Sequence, residues 1–247
     1  MSTIKIDARN LHYRDLNNEI HRCILQRNGF VEVVLDNVFG QRYIAAGLRK
    51  GIRVVINGTA GNDLGVFMDG SEIFVNGNAQ DAVGNTMNSG KIVINGSAGD
   101  VIGYGMRGGS IYIKGNAGYR VGIHMKAYEE NFPVIVVGGS VGDFLGEYMA
   151  GGIIIVLGLW EDKFPVGDFI GTGMHGGNIY IRTKTIDERL LGKEVKVSEI
   201  KQEDFNLISK YIIDFCDSFS ISRNVLKENF VKLYPYSTRP YGRLYAY

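Results

Sequence analysis

Residues 83–125 read VGNTMNSGKIVINGSAGDVIGYGMRGGSIYIKGNAGYRVGIHM. Within them an aliphatic-Gly-x-x-Met unit occurs three times, at Val83-Gly84 to Met87, Ile102-Gly103 to Met106 and Val121-Gly122 to Met125. Working outward, the same unit appears upstream as Gly65/Met68 and downstream as Gly146/Met149 and Gly171/Met174. The steps are 19 residues from Gly65 through Gly122, then 24 and 25. One structural unit is therefore stacked repeatedly and twice carries a short insertion. A repeat of this length, built of β-branched triplets and glycines, describes a solenoid whose role is to present a surface.

The residues around the glycine agree. Immediately before it stand Leu64, Val83, Ile102, Val121, Leu145 and Ile170. Further upstream come apolar pairs two apart: Val54/Ile56, Ile73/Val75, Ile92/Ile94, Ile111/Ile113, Ile135/Val137, Ile154/Val156 and Ile179/Ile181. Two-residue spacing places both members on one face of a strand. Parallel α/β folds need crossovers of a dozen or more residues, and the repeat has no room for them. The expected fold is all-β: a single-stranded parallel β-helix of about six to seven rungs, with strands roughly 4.8 Å apart and short helical segments at the chain's two ends. The expected organisation is a helical cap over residues 1–30, the β-helix over 31–183, and a C-terminal helix with an aromatic tail over 184–247. Glycine is required at tight corners, and Ala60, Ala79, Ala98 and Ala117 recur beside a second corner. The Met column reads as core filler, since an unbranched thioether adapts to irregular gaps. An earlier turn, Val33 to Tyr43, offers Phe39-Gly40 at the aliphatic-Gly position.

With 247 residues, 45% of them hydrophobic, the chain can bury a substantial core. A net charge of +1, without a Lys/Arg block interleaved with aromatics, argues against nucleic acid. Cys23 and Cys216 form no disulfide framework, no Cys-x-x-Cys and no set of iron–sulfur ligands. Met1 to Asn10 lacks an apolar signal core, and no run of 18 apolar residues occurs. A soluble, cytoplasmic protein without membrane contact is expected.

Residues 15–28 suggest an amphipathic helix with Asp15 as N-cap and Leu16, Ile20, Cys23 and Ile24 as its stripe, stopped by Gly29. Residues 203–219 carry Phe205, Ile208, Ile212, Phe215 and Phe219 at helical spacing. Both helices are expected to cap the open ends of the solenoid. The tail from Tyr234 to Tyr247 is aromatic and without periodicity, as a segment laid along a surface would be.

Chemistry-bearing motifs are sparse. Gly103-Tyr-Gly105-Met-Arg-Gly108 and Gly171-Thr-Gly173-Met-His-Gly176 match the dinucleotide fingerprint G-x-G-x-x-G, but a β run follows each, where the fingerprint needs a helix to meet the pyrophosphate. No phosphate-cradling G-x-x-x-x-G-K-[ST] occurs, and His12, His21, His124 and His175 show no metal-ligand spacing. Glu129-Glu130 and Glu161-Asp162 lie in the insertions 126–132 and 159–166, where they read as solvated loop carboxylates. Loops inserted between rungs are where solenoids carry binding function. Tyr128, Phe132, Trp160 and Phe164, with Tyr241 and Tyr245 of the tail, are therefore the expected partner contacts. Catalytic, cofactor-binding and metal-binding residues are not expected on this chain.

The rung text Gly96-Ser-Ala-Gly99, Gly115-Asn-Ala-Gly-Tyr-Arg-Val-Gly-Ile-His-Met125, Gly146-Glu-Tyr-Met-Ala-Gly-Gly152 and Gly173-Met-His-Gly-Gly177 resembles one family. It is similar to the glycine-repeat (GXGXG) β-helix domain of the glutamate synthase large subunit, domain 3, which also occurs free-standing and as one of the subunits of formylmethanofuran dehydrogenase. The resemblance covers roughly residues 31–182 and implies a right-handed β-helix without catalytic residues. It implies as partners a glutamine amidotransferase and an FMN-barrel synthase, with FMN and an iron–sulfur cluster on those subunits and no cofactor on this one. Such an amidotransferase needs a cysteine exposed after Met removal, and position 2 is Ser2; two cysteines cannot hold the cluster. The reading is a non-catalytic structural subunit that bridges separate polypeptides in glutamate biosynthesis, with self-association left open. The alternatives are a component like the glycine-repeat polypeptide of formylmethanofuran dehydrogenase, or one of another amidotransferase-linked complex such as N-methylglutamate synthase. A stand-alone β-helix enzyme acting on carbohydrate is a third, but needs an Asp or Arg face that the apolar and glycine columns do not supply.

Overall fold

The computed structural model describes residues 2–160 and 162–238. In chain order its elements are β1 (Ser2–Asp7), α1 (Tyr13–Leu25), β2 (Val31–Phe39), β3 (Ile52–Thr59), β4 (Asp69–Asn76), β5 (Ser89–Ile94), β6 (Ser110–Ile113), β7 (Val134–Val137), β8 (Ala150–Val156), β9 (Gly176–Arg182), β10 (Val195–Glu199), α2 (Gln202–Phe219) and β11 (Phe230–Pro235). From β1 to β9 each strand pairs in parallel with the next. At the far end β11 lies antiparallel between β9 and β10. This is the expected all-β parallel solenoid of about six turns.

Register follows the apolar pairs. Val33, Val54, Ile73, Ile92, Ile111, Ile135, Ile154 and Ile179 are aligned strand to strand, and each is completely buried. Each such side chain contributes about 1.5–3 kcal/mol relative to exposure. The insertions after Met125 and Val156 leave this register intact because they bulge between walls.

The Gly-x-x-Met units form a second wall whose hydrogen bonding explains its composition. The amide of each corner glycine donates one turn back: Gly84 N to Leu64 O, Gly103 N to Val83 O, Gly122 N to Ile102 O, all within 2.7–2.8 Å. The amides two residues to either side donate one turn forward, as with Val101 N to Tyr119 O and Gly105 N to Ile123 O. Alternating donation needs alternating backbone handedness, so within this wall three positions of each turn have positive φ. Only the central one is glycine throughout the repeats, and Gly103 shows why. A Cβ there would stand 2.5 Å from Ile135 Cδ1, inside the core. At the flanking positions Cβ points outward, so Arg120, His124, Phe144, Tyr148 and Phe169 adopt φ of 51–62°. Each carries an intrinsic cost of about 1–2 kcal/mol, offset by the ladder that a different φ would break.

The Met column has a definite partner. The terminal methyls of Met87 and Met149 lie 2.5 Å from where a Cβ at Gly109 and Gly177 would stand, so thioether and missing side chain fill one space. At a further corner Asp100 Oδ1 accepts from Tyr119 N at 2.9 Å, and a Cβ at Gly118 would fall 2.0 Å from that oxygen. The same arrangement recurs with Asp81 and Asp143.

Four expectations are corrected. The first turn does not use Phe39-Gly40: Gly65 N donates to Ile44 O, so Ile44-Ala45 occupies the aliphatic-Gly position and Ala45 has φ 61°. The sheet does not begin near residue 31, because β1 adds Ile4 and Ile6 opposite Val33 and Leu35. α1 starts earlier than Asp15, with His12 as N-cap; it puts Leu16 and Ile20 into the solenoid interior. Finally, α2 caps no end. It lies on the outer face of the strand wall, where Ile208, Ile212 and Phe215 cover Val93, Tyr112, Val136, Ile155 and Tyr180. The middle residue of each strand triplet is apolar too, and that outward column requires a cover.

Candidate functional site: the aromatic turn wall

The outward residues of the turn wall gather into two neighbouring columns over the later turns. In one, the Tyr104 and His124 rings meet edge to face at 5.8 Å, and His124 stacks on Tyr148 at 5.3 Å with 10° between planes. In the other, Phe144 stacks on Phe169 at 5.0 Å and 16°, with the Arg120 guanidinium 5.0 Å from the Phe144 centroid. Arg120 Nε also donates to Glu147 Oε2 at 2.8 Å, which joins the columns. Residues one turn apart in register must stack, because the backbone ladder fixes their separation near the aromatic contact distance. Tyr104, Tyr148 and Phe169 are 42%, 39% and 53% exposed. Such an array, carrying a half-exposed cation whose carboxylate partner is mostly covered, suits docking of another aromatic surface.

The strand wall shows the contrasting outcome. Tyr112 Oη donates to Asp214 Oδ2 at 2.9 Å while Lys91 Nζ donates to Asp214 Oδ1 at 2.7 Å. Near the start of α2 the device repeats: Tyr180 Oη and Lys232 Nζ both donate to Asp204 Oδ1, at 2.8 and 2.6 Å. Asp204 Oδ2 takes the Lys201 amide at 3.1 Å, which caps the helix. Burial pushes the Asp204 carboxyl up, but bonds from Lys232, Tyr180 and the Lys201 amide outweigh it and hold it below the ordinary carboxylate value. Burial and the adjoining aspartates raise both tyrosines.

The residues expected to meet partners are not brought together. Tyr128 and Trp160 are 70% and 57% exposed, but Tyr128 precedes β7 and Trp160 follows β8, at opposite edges of the strand wall. Trp160 Nε1 donates to Lys114 O at 3.2 Å. Phe132 packs into the α2 interface against Tyr211, rings 6.4 Å apart. Phe164 packs against the inner core and lines a polar cleft with Arg182, Lys184 and Glu228. Tyr241 and Tyr245 lie outside the described residues. Gly65, Gly84, Gly103, Gly122, Gly146 and Gly171 sit at the corners with φ of 67–75°, and Met68, Met87, Met106, Met125, Met149 and Met174 are fully buried. Both G-x-G-x-x-G matches run from a turn into a strand, β6 and β9, with no helix at either. Cys23 and Cys216 are unpaired thiols. Among the described residues no cluster of His, Cys, Asp and Glu could hold a metal, and no helix is long and apolar enough to cross a membrane.

Sequence reading missed Tyr104, Arg120, His124, Phe144, Tyr148 and Phe169. The available signal was positional: they stand two before, or one or two after, the corner glycine.

Glycine-cornered turns stacked at a nearly constant step define a β-solenoid of the GXGXG type. The chain belongs to the GXGXG motif family, the family of glutamate synthase domain 3, whose model matches residues 9–236. It is 48% identical over 255 residues to the uncharacterized protein MJ1350 of Methanocaldococcus jannaschii, an alignment that covers 100% of this chain and 97% of that protein.

Proposed function

We propose that this chain is the scaffold subunit of an amidotransferase-linked glutamate synthase, holding a glutamine amidotransferase polypeptide and an FMN-barrel synthase polypeptide in fixed relation. FMN and the iron–sulfur cluster would reside on the partners. The reading rests on family membership over nearly the whole chain. The observation that carries it is the aromatic turn wall: Tyr148 and Phe169 are held exposed on a backbone ladder, as an interface anchor requires.

The role is positional. In a stacked solenoid each turn is bonded to those before and after it, so a surface fixed at one turn is fixed relative to all. Two subunits gripping different stretches keep the site that releases ammonia and the site that consumes it at constant separation. No proton transfer or covalent step is asked of this chain.

Affinity capture of the tagged chain from its native host, followed by mass spectrometry, tests this. An amidotransferase and a flavoprotein are expected in stoichiometric yield. Molybdenum or tungsten enzyme polypeptides would overturn it in favour of a formylmethanofuran dehydrogenase-like complex, and recovery of the chain alone would reject the scaffold role.

A further inference from the structure

The second insertion and the exit of β9 enclose a cleft that a scaffold role does not use. Gly158 and Pro165 bring the two ends of the insertion together: a Cβ at Gly158 would stand 2.7 Å from Pro165 Cβ, so the close approach needs glycine. Arg182, the last residue of β9, closes this neck. Its Nε donates to Leu157 O and its Nη2 to Gly158 O at 2.6 Å. Backbone carbonyls thus fix the guanidinium without cancelling its charge. Its Nη1 makes no hydrogen bond among the described residues, with Glu228 Oε2 4.0 Å away. The cleft beside it has a volume of about 430 Å³, within the range of about 300–1,000 Å³ typical of small-molecule sites. Phe164, Pro165 and Leu190 give it an apolar lining, and Lys163 and Lys184 line it as well. Neither lysine has an ion pair among the described residues. Asp187, also in the lining, is taken by Arg189 through side-chain bonds of 2.6–3.0 Å. That leaves Asp162 and Glu228 facing the cations Lys163, Arg182 and Lys184.

We propose that this cleft binds a small phosphate monoester, with Arg182 Nη1, Lys163 and Lys184 each meeting a phosphoryl oxygen and the organic part resting on Phe164 and Leu190. Arginine recognises a carboxylate through two nitrogens side by side. With Nε and Nη2 committed to carbonyls, Arg182 cannot present that fork and offers a single point of contact. Lysines are point charges by nature. Separate single-point cations suit the free oxygens of a tetrahedral dianion better than the flat pair of a carboxylate. Inorganic phosphate shares the phosphoryl chemistry but leaves the apolar lining without a contact, which favours the ester. Glu228, 54% exposed, competes with the ligand for Arg182, so binding displaces it towards solvent. The site lies wholly within this chain and stands whichever partner polypeptides the chain meets.

Isothermal titration of the isolated full chain with phenyl phosphate, at about pH 8 where the monoester is a dianion, tests the site without any partner. Saturable binding with a Kd of about 1 mM or tighter is expected. Inorganic phosphate should bind more weakly, and benzoate, which carries the same ring on a carboxylate, should not saturate. Lys163→Gln and Lys184→Gln, both at exposed positions, should each weaken phenyl phosphate by about fivefold, the upper end for a surface charge pair, and by about twentyfold together. Glu228→Gln removes the competing carboxylate and should tighten binding about threefold, a gain that damage to the fold would not produce. Absence of saturation, or benzoate binding as well as phenyl phosphate, would overturn the phosphoryl assignment. An unchanged Kd in the double lysine variant, or a weaker one in Glu228→Gln, would overturn the location. Equal affinity for inorganic phosphate would reject the ester.

Discussion

On the strand wall the outward column Val93, Tyr112, Val136, Ile155 and Tyr180 is buried beneath α2, whereas on the turn wall Tyr104, Tyr148 and Phe169 remain 42%, 39% and 53% exposed. On both walls the outward residues of successive turns stand over one another, at equivalent positions on the strand wall and at or beside the positions flanking the corner glycine on the turn wall. They differ in what the chain supplies to cover them. α2 brings an apolar stripe and two aspartates to the strand wall; no helix or strand among the described residues lies across the aromatic columns of the turn wall. The difference teaches that interior columns and corner glycines determine the solenoid, while outward columns determine what it binds. The comparison breaks first if turn-wall glycines are replaceable, or if outward residues of the two walls matter equally for stability.

The largest effect is expected at the turn-wall backbone. Gly103→Val places a β-branched side chain at φ 69°, with its Cβ 2.5 Å from Ile135 Cδ1. Backbone strain and overpacking together should cost about 3–5 kcal/mol, enough to unfold or aggregate the chain, read by urea denaturation. Gly103→Ala should cost less, since Ala45 already holds the equivalent position of the first turn at φ 61°. Full tolerance of valine would mean that the corner does not enclose the core.

Next come the two clamps that attach α2. Asp204→Ala leaves a buried tyrosine hydroxyl and a mostly covered lysine without their acceptor, and should cost about 2–3 kcal/mol in chemical denaturation. Asp214→Ala, at a site 49% exposed, should cost about 0.5–1 kcal/mol. The pH dependence follows from the lowered Asp204 pKa. A carboxyl depressed in the folded state contributes stability that is complete above its unfolded value, near 3.8, and is lost as pH falls through the folded value. The gap between the wild-type chain and Asp204→Asn should be constant at pH 5–7 and shrink below about pH 4. A gap that widened on acidification would contradict the ion pair.

Much of the solenoid was legible because its determinants are periodic. Gly65 to Gly171 and the Val54/Ile56-type pairs depend on one repeating environment, and the sequence repeats with it. What escaped depends on non-repeating contacts. Ile4 and Ile6 form an apolar pair like the others, but no Gly-x-x-Met unit follows, so β1 went unread. α2 was legible as a helix and misplaced as a cap, because its location is decided by Tyr112 and Tyr180, whose aspartate partners are 102 and 24 residues away. The aromatic wall was hidden by variety: Phe67, Thr86, Gly105, His124, Tyr148 and Gly173 hold equivalent positions, share a positive φ and have no common side-chain chemistry.

Replacing the exposed aromatics should separate the walls functionally. Tyr148→Ser/Phe169→Ser should shift stability by no more than about 0.5 kcal/mol per site, because outward surface groups contribute little. It should nonetheless abolish recovery of the partner polypeptides in affinity capture. Undiminished recovery would move the docking surface elsewhere, with Tyr128 and Trp160 the next positions to test.

The smallest effects belong to the first insertion, where backbone and carboxylates can be told apart. Tyr128 and Asn131 exchange both backbone hydrogen bonds, Tyr128 N to Asn131 O at 2.8 Å and Asn131 N to Tyr128 O at 3.0 Å. The tight turn this encloses puts Glu129 at φ 54°, a conformation that costs a non-glycine residue about 1–2 kcal/mol. Glu129→Gly relieves that strain but enlarges the unfolded chain's freedom by a comparable amount, so a net stabilisation of about 0.5 kcal/mol is expected. Glu130, exposed beside it, has nothing to lose, and Glu130→Ala should leave the unfolding midpoint unchanged. If Glu130→Ala destabilised the chain while Glu129→Gly did nothing, the loop would be held by its carboxylates, and the outward residues of the insertion would rank with those beneath α2.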